Sequence, residues 1–400
     1  MADPIAQAVA EAHSTEWASV LAATARVAAD LDLAEDCVQD AYAKALVHWR
    51  EQGVPKKPGA WLTTVATRRA LEHRRRDDVA RRKLPLLIPD EQASDGVFPD
   101  DRLRLVFTCC HPALAQEAQI ALTLRLVCGL SSAEIAKAFL VKEATMQARI
   151  TRAKHKISRS GIAYRIPLLA DLPERIDAVL DVVHLVYTAG HTAADGDELT
   201  RPDLARRGLD LARMMRLLVP ESSEAAGLLA LLVLTDSRQA ARVDDDGRLV
   251  LMEDQDRSRW DEELITEGLE LVPEALANAG RFGVMAAIAA VHAETKRWED
   301  TDWQEILGLY DLLLARWPSP VVALNRVVAL SYVDGPEAAL HQLQDDPALA
   351  TYPYLASTRA ELLRRTGRDA EAQAAYEEAL AFTSNAVEAE FLQRRITRGG

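Results

Sequence analysis

The stretch LSSAEIAKAFLVKEATMQARITRAKHK, from Leu130 to Lys156, decides the fold of the first half of the chain. Ser131 and Glu134 form an S-x-x-E capping box, in which two side chains satisfy the free amides at the start of a helix. Gly129 comes just before this box and suits the left-handed conformation that ends a preceding helix. The stretch therefore predicts a helix that opens at Ser131 after a glycine turn.

The remainder of this stretch predicts a second helix packed against the first, with Leu140 and Val141 in the turn between them. The apolar positions that face inward are Ile135, Ala138 and Phe139 on the first helix and Met146, Ile150 and Ala153 on the second. The cations predicted to face outward are Arg149, Arg152, Lys154 and Lys156. Together these features predict a helix-turn-helix, whose second helix can enter the major groove of DNA.

A basic segment, PGAWLTTVATRRALEHRRR from Pro58 to Arg76, is the second informative feature. Its arginines are Arg68, Arg69, Arg74, Arg75 and Arg76. Arginine binds phosphates and base edges with a planar fork of donors. Trp61, two turns earlier, can stack on an unpaired base, with a buried core position as the alternative. A solvated basic helix face is the alternative for the arginines.

An acidic stripe marks the helix predicted from Leu33 to Trp49. The stripe consists of Asp32, Glu35, Asp36, Gln39 and Asp40. Asp32, Asp36 and Asp40 are spaced four residues apart, so their like charges lie on one helical face and weaken it slightly. Two interpretations stay open at this point. Solvent and salt screen the stripe, or the stripe contacts a basic partner.

Composition and charge bound the fold and the class of partner. The chain has 400 residues and a net charge of −14, few aromatic residues and many helix formers, which predicts an all-α protein. Residues 1–164 carry 23 Lys and Arg against 20 Asp and Glu, whereas the remaining residues carry 24 against 41. The cations are therefore concentrated in the half that holds the basic helices, which favours nucleic-acid binding there.

Several classes of function are excluded by absent patterns. No apolar run approaches the length of a membrane span, and the first residues lack a secretory signal, so we expect a cytoplasmic protein without a membrane partner. The four cysteines include no C-x-x-C pair. Cys109, Cys110 and His111 lack further ligands at ordinary spacing, so we predict buried thiols, no metal and no cofactor. No phosphate loop or nucleophile motif is present, which argues against an enzyme.

The chain divides into three predicted domains and a linker. The ranges are a helical domain over 1–83, a proline-rich linker over 84–100, a helix-turn-helix domain over 101–161 and an acidic helical domain over 162–400. In the last of these, Tyr310 and Tyr376 lie 66 residues apart with Leu343 midway, a period of 33. This period is close to that of tetratricopeptide helix pairs, which stack into arrays.

These motifs, in this order, resemble a bacterial sigma factor of the extracytoplasmic-function type. DLDLAEDCVQDAYAKAL (Asp30 to Leu46) and the Pro58–Arg76 segment resemble parts of region 2, and CCHPALAQEAQIALTLRLVCGLSSAEIAKAFLVKEATMQARITRAKHKI resembles region 4. LMEDQDRSRWDEELI (from Leu251) and TDWQEILGLYDLLLARWPSPVVALNRVVAL (from Thr301) are similar to the subgroup that carries a tetratricopeptide-like extension. The resemblance implies a two-domain sigma factor with a C-terminal regulatory module.

The resemblance also implies roles for individual residues. The promoter −10 element would be bound by Trp61, Arg68, Arg69, Arg74, Arg75 and Arg76. The −35 element would be read by Lys142, Thr145, Gln147, Arg149, Arg152, Lys154 and Lys156. The β′ coiled coil of core RNA polymerase would be bound by Leu33, Asp36, Gln39 and Asp40, and the β flap is a further expected contact. Lys142 departs from the subgroup, where proline or serine is expected.

The resemblance leaves the role of the C-terminal domain open, as an intramolecular contact or a site for a protein partner. A ligand-sensing helix-turn-helix regulator that binds DNA without polymerase is the main alternative function. A repeat-type scaffold with incidental basic segments is another. Salt dependence separates the scaffold from both DNA-binding functions, because phosphate contacts make affinity fall steeply as salt rises.

Overall fold

The computed structural model describes residues 3–81, 101–138, 141–160, 162, 164–165, 167, 171–193 and 195–398, without the side chains of 77–81, 137, 138 and 398. The predicted linker over 84–100, the side chain of Ala138, and Phe139 and Leu140 of the predicted helix-turn-helix lie outside this description. In the described part every helix and turn belongs to an all-α fold without strands, which confirms the predicted fold class. None of the described helices is both long enough and apolar enough to cross a bilayer.

Eighteen α-helices are described along the chain. They are α1 (Pro4–Ala28), α2 (Leu31–Gln52), α3 (Pro58–Arg81), α4 (Asp101–Cys109), α5 (Gln116–Leu122), α6 (Ser132–Ala138), α7 (Glu143–Arg159), α8 (Leu172–His191), α9 (Pro202–Leu218), α10 (Ser223–Asp236), α11 (Glu262–Ala275), α12 (Arg281–Glu294), α13 (Trp303–Arg316), α14 (Pro320–Val333), α15 (Pro336–Gln342), α16 (Pro353–Arg365), α17 (Asp369–Phe382) and α18 (Ala386–Arg398).

Helices α1 to α3 form a bundle around a shared apolar core. Val20, Val38 and Leu62, one from each helix, are fully buried there. Helix α1 begins at Pro4. Asp3 caps it by accepting a hydrogen bond from the amide of Ile5, and proline suits the first helical position.

Helices α4 to α7 contain the predicted helix-turn-helix, and its local signals are confirmed. The Ser131 amide donates to Glu134 Oε2 at 2.7 Å, and the Glu134 amide donates to Ser131 Oγ at 3.2 Å. Gly129 has φ of +73°, the left-handed conformation that favours glycine. Met146 and Ile150 of α7 are buried as predicted, so their burial fixes which face of α7 points outward.

The described chain separates into two compact units, residues 1–182 and 183–400, and the division falls within α8. Inside the first unit, the α1–α3 bundle contacts the segment between α5 and α6, where Trp17 Nε1 donates to the Leu126 carbonyl at 3.1 Å. Further along the chain, Tyr164 Oη donates to the Ala22 carbonyl at 3.0 Å. The predicted domain boundary after residue 161 stays a prediction.

The second unit begins with helices packed around α10, which is buried on almost every face. The apolar run Gly227 to Leu234 is the centre of α10, as expected for a buried helix. Gly227 lets the backbone of α12 approach closely, since a Cβ there would lie 2.5 Å from the amide nitrogen of Gly283.

The remaining helices form three pairs with the predicted period. The first helices of the pairs begin at Trp303, Pro336 and Asp369, each 33 residues after the last. The second helices begin at Pro320, Pro353 and Ala386, with the same spacing. In the middle pair the first helix has only seven residues, so Leu343 lies at its C-cap rather than in mid-helix as Tyr310 and Tyr376 do.

The last repeat returns to the beginning of this unit. Asn385 is fully buried, and its Nδ2 donates to the carbonyls of Ala193 at 3.1 Å and Glu198 at 2.9 Å. The Ala386 amide donates to the Gly196 carbonyl at 2.9 Å. These contacts close the second unit on itself.

Two glycine substitutions test this packing. We expect Gly227→Ala to destabilise the second unit by about 1–3 kcal/mol, because its methyl group would overlap the backbone of α12. Gly308→Ala in α13 is the matched control, since a Cβ there meets no atom within 4 Å and alanine favours a helix by about 0.5–1 kcal/mol. Thermal unfolding of the full chain should show a lower midpoint for the first variant and an unchanged or higher one for the second. Equal shifts would contradict the close crossing.

Candidate nucleic-acid interface

Helix α3 presents most of its arginines to solvent. Leu62, Ala66 and Ala70 are fully buried and fix the inward face of the helix. Arg68 has a side chain that is 82% exposed, and its Nε lies 3.6 Å from Glu72 Oε1. Arg74, Arg75 and Arg76 are all exposed as well. The structure therefore places a surface with several accessible guanidinium groups along the second half of α3.

Two of the predicted arginines also hold the bundle together. Arg69 is half-buried, and its Nε lies 3.3 Å from Asp40 Oδ2 on α2. Arg74 donates to the Val27 carbonyl near the end of α1 at 3.0 Å, which satisfies one of the last helical carbonyls. The predicted −10 group thus combines two anchored arginines with three that have wide access to solvent.

Trp61 is half-buried beside α2. Its ring stacks on His48 with centroids 5.4 Å apart and meets Trp49 edge-on at 5.7 Å. Trp49 is almost fully buried, so this contact secures one side of the Trp61 indole. The exposed remainder borders a surface depression that Val47 and Arg69 also line. The position is compatible with both alternatives raised by the sequence, a packing role and a stacking surface.

Helix α7 presents most of the predicted reading face to solvent. Lys142 is the N-cap residue of α7, so the helix itself opens with Glu143. The exposed members of the predicted set are Lys142, Thr145, Gln147, Arg152 and Lys156, and Arg149 is half-buried. Gln147 Nε2 donates to Glu143 Oε1 at 3.0 Å, and Lys156 donates to the Ala113 carbonyl. This face carries both amide and cationic donors for base edges and phosphates.

Lys154 differs from the prediction, because it does not face outward. Its side chain is only 10% exposed, and Nζ lies 2.7 Å from Asp32 Oδ1 and 2.6 Å from Glu35 Oε2 on α2. The prediction of an outward direction is wrong because Lys154 follows the buried Ala153 at the edge of the apolar face. The second helix of the helix-turn-helix is thereby tied to the α1–α3 bundle.

Glu35 is the centre of this contact, which we call the Glu35 cluster (Asp32, Glu35, Arg125 and Lys154). Its side chain is 5% exposed, and it pairs with Arg125 as well as with Lys154. Burial by itself lowers the pKa of Lys154, but the charge of Glu35 and hydrogen bonds to Asp32 and Glu35 outweigh it, so the pKa is raised. Lys154 therefore stays charged at neutral pH, and the cluster keeps one buried carboxylate between two cations.

The predicted polymerase-binding residues lie on α2 beside the Glu35 cluster. Asp36, Gln39 and Asp40 are exposed, and Leu33 is half-buried. Gln39 Nε2 donates to Glu35 Oε1 at 3.3 Å, which connects this surface to the cluster. The acidic stripe is therefore divided between a basic partner inside the same chain and an open face.

Glu35 and Arg125 were not among the predicted site residues. The only sequence signal was the acidic stripe, for which a basic partner was one of the two interpretations. The partner could not be identified, because Arg125 and Lys154 lie about a hundred residues away in the chain and ionic contacts between separate segments leave no periodic pattern.

The cysteines lie in the interior. Cys109, Cys110 and Cys128 are buried, and Cys110 Sγ lies 3.5 Å from Thr123 Oγ1. Burial raises the pKa of Cys110 to about 12, so it is a thiol at neutral pH. Among the described residues, no three metal-ligating side chains come together in a group.

Comparison with known proteins identifies three segments. Residues 18–79 match the sigma-70 region 2 family, residues 104–157 match the sigma-70 region 4 family, and residues 175–276 match a family of unknown function, DUF6596. An uncharacterized protein of Rhizobium meliloti (strain 1021) is 41% identical over 384 residues, covering 92% of this chain and 90% of that protein. No solved structure matches the chain significantly.

The Glu35 cluster can be tested by stability. Glu35→Gln should destabilise the first unit by about 3 kcal/mol, because Arg125 and Lys154 would lose a shared buried counter-charge. Asp36→Asn, an exposed change one residue along the chain, should stay within about 0.5 kcal/mol of the parent. Urea denaturation measures the stability of both variants, and hydrogen exchange of the α2 amides in the native state shows whether the change is local to α2. A Glu35→Gln protein as stable as Asp36→Asn would rule out the cluster as a structural tie.

Proposed function

The chain belongs to the sigma-70 family, in an extracytoplasmic-function-like arrangement with a C-terminal extension, and we propose that it directs core RNA polymerase to specific promoters. A factor of this family is not an enzyme in itself. Its partners are core RNA polymerase and promoter DNA, and the site of action is expected to be the cytoplasm, where both are found. The C-terminal domain would set the activity of the two promoter-binding regions.

The −10 element would be bound by the arginine face of α3. Arg68, Arg75 and Arg76 are exposed and can reach phosphates, while Arg69 and Arg74 are anchored by Asp40 and the end of α1. Anchored side chains lose less conformational entropy on binding, so they suit a positioning role. The half-exposed ring of Trp61 would stack on an unpaired base, which is a contact that every base can make.

The −35 element would be read by the outer face of α7. Gln147 and Arg152 are exposed in the middle of this helix, where amide and guanidinium groups reach adenine and guanine edges in the major groove. Lys142, Thr145 and Lys156 would contact the flanking phosphates. Arg149 would assist from its half-buried position. Lys154 could join this set only after it leaves Asp32 and Glu35.

The polymerase-binding face and the Glu35 cluster would compete through α2. Leu33, Asp36, Gln39 and Asp40 are proposed to bind the β′ coiled coil, and region 4 would bind the β flap. The helix that carries these residues also holds Lys154 through Asp32 and Glu35. Binding of polymerase would therefore be coupled to release of α7, so that the free factor keeps its −35 helix against region 2 and polymerase opens it.

The observation that carries the proposal is the conjunction of matched regions and exposed faces. Regions 2 and 4 follow one another in the order that a sigma factor requires. Within those matches, the exposed cations lie on the outer faces of α3 and α7 rather than in the cores. A basic helix without such a surface would serve packing alone.

Transcription from purified components tests the function. With core polymerase and a library of promoter fragments, the full chain should give discrete transcripts. Arg152→Ala should reduce them by the equivalent of about 1–3 kcal/mol of base recognition. Arg297→Ala, an exposed arginine of the second unit, controls for the loss of one charge. Tight promoter binding without polymerase and no transcript with it would favour the ligand-sensing regulator instead.

The proposed competition predicts opposite effects at neighbouring aspartates. Asp32→Asn weakens the hold on Lys154, so transcription should rise by up to about fivefold, since such a half-exposed pair contributes up to about 1 kcal/mol. Asp36→Asn removes a proposed polymerase contact and should lower transcription. The two variants have the same charge change and differ by one helical turn. A fall in transcription for both variants would mean that α2 binds polymerase but that its contact with Lys154 does not restrain the factor.

A further inference from the structure

The turn after α10 lies at a junction inside the second unit. Tyr187 Oη on α8 lies 3.1 Å from Asp236 Oδ1, the last residue of α10. Arg242, which directly follows the short 3-10 helix Gln239–Ala241, donates to the carbonyl of His191 and, at 3.1 Å, to Thr192 Oγ1. These bonds hold the segment from residue 237 to 242 against the C-terminal end of α8.

The other side of the same turn is formed by the segment before α11. The Asp261 amide donates to the Ser237 carbonyl at 2.8 Å. Just before it, the Arg257 guanidinium lies 4.8 Å from the ring centroid of Trp260 and donates to the His292 carbonyl at 2.7 Å. Segments from α8, α10, α12 and the loop before α11 therefore meet around one turn.

Three guanidinium groups gather here without a paired carboxylate. Arg238, Arg242 and Arg257 have no carboxylate oxygen within 4.0 Å among the described residues. Arg242 and Arg257 are bonded to carbonyl and hydroxyl oxygens instead. Arg238 donates no hydrogen bond to any described residue, although it is partly exposed and so can be reached by solvent.

Two neighbouring histidines are buried and also feel the charges of these arginines. Burial, followed by the charges of Arg242 and Arg238, lowers the pKa of His191 to about 2. Burial, followed by the charges of Arg238 and Arg257, lowers the pKa of His292 to about 4. The charge of Arg238 thus reaches both histidines, which are neutral at pH 7. Each has a buried Nδ1 without a hydrogen-bond partner.

A guanidinium group without a carboxylate partner relies on water or on a bound anion to compensate its charge. The missing carboxylate partner does not reflect a shortage of acidic residues, because residues 165–400 carry 41 Asp and Glu against 24 Lys and Arg. The nearest carboxylate along the chain, that of Asp236, accepts a hydrogen bond from Tyr187 rather than from Arg238. Trp260, 5% exposed, adds a buried Nε1 donor without an acceptor.

We infer that the turn around Arg238 is a binding site for a small anion with a phosphate or carboxylate group, held by Arg238 with Arg242, His191 and His292 around it. The planar fork of a guanidinium binds both kinds of group through paired hydrogen bonds. A neutral imidazole can donate a further bond to such a ligand. The site lies mostly within residues 175–276, the segment that matches a family of unknown function. It depends on none of the promoter contacts proposed above.

Calorimetry and thermal unfolding of the full chain test the site with two probes, inorganic phosphate and succinate, at matched ionic strength against sodium chloride. At least one probe should bind and raise the unfolding midpoint, as any ligand of the folded state does. Arg238→Gln should weaken that binding by about tenfold or more, because a charge-assisted bond is lost. Arg238→Lys, which keeps the charge but not the fork, should bind with intermediate affinity.

The control is Arg248→Gln, an arginine of the same unit that already pairs with Asp246, which should bind like the parent. Without either anion, Arg238→Gln should unfold at or above the parent midpoint, since an uncompensated charge has been removed. Three results would overturn the inference. They are binding of neither probe to the parent, equal binding by Arg238→Gln, or a lower midpoint for Arg238→Gln without added anion while the parent shows no effect of anion.

Discussion

The contact between Glu35 and the cations Lys154 and Arg125 is the interaction on which the first unit depends. It joins α2 of the region 2 bundle to α7 of the helix-turn-helix through a carboxylate that is 5% exposed. Buried ion pairs contribute little net stability compared with apolar packing. Losing one partner is costly, however, because it leaves a buried charge without compensation, so the pair favours one geometry. The contact therefore specifies one arrangement of the two regions more than it adds stability.

That arrangement gives α2 two roles. Its buried edge holds the helix proposed to read the −35 element, and its exposed edge carries the residues proposed to bind polymerase. A single helix with both surfaces allows one binding event to alter the other, which requires only that polymerase prefers the open state. The second unit adds three helix pairs with a 33-residue period and the turn around Arg238, where we infer that a small anion binds.

Local signals in the sequence predicted much of this structure, and long-range polar contacts were what they missed. The capping box at Ser131 depends on residues close together in the chain, and the 33-residue period appears as a regular spacing along it. The structure confirms both. The predicted outward direction of the Lys154 side chain is wrong. Helical periodicity identifies an apolar face, but it does not say which polar residue at the edge of that face contacts another segment. Arg238 gave no signal, since one arginine after a buried helix is common and its lack of a partner is a property of the fold.

The most direct test of the account is the distance between α1 and α7 in solution. Spin labels on Glu11→Cys and Ser158→Cys, both exposed positions, report this distance by pulsed electron resonance in the free chain and after addition of core RNA polymerase. We predict one short distance in the free protein and a longer one with polymerase, as α7 leaves the Glu35 cluster. A single distance that polymerase does not change would contradict the coupling between docking and release of the −35 helix.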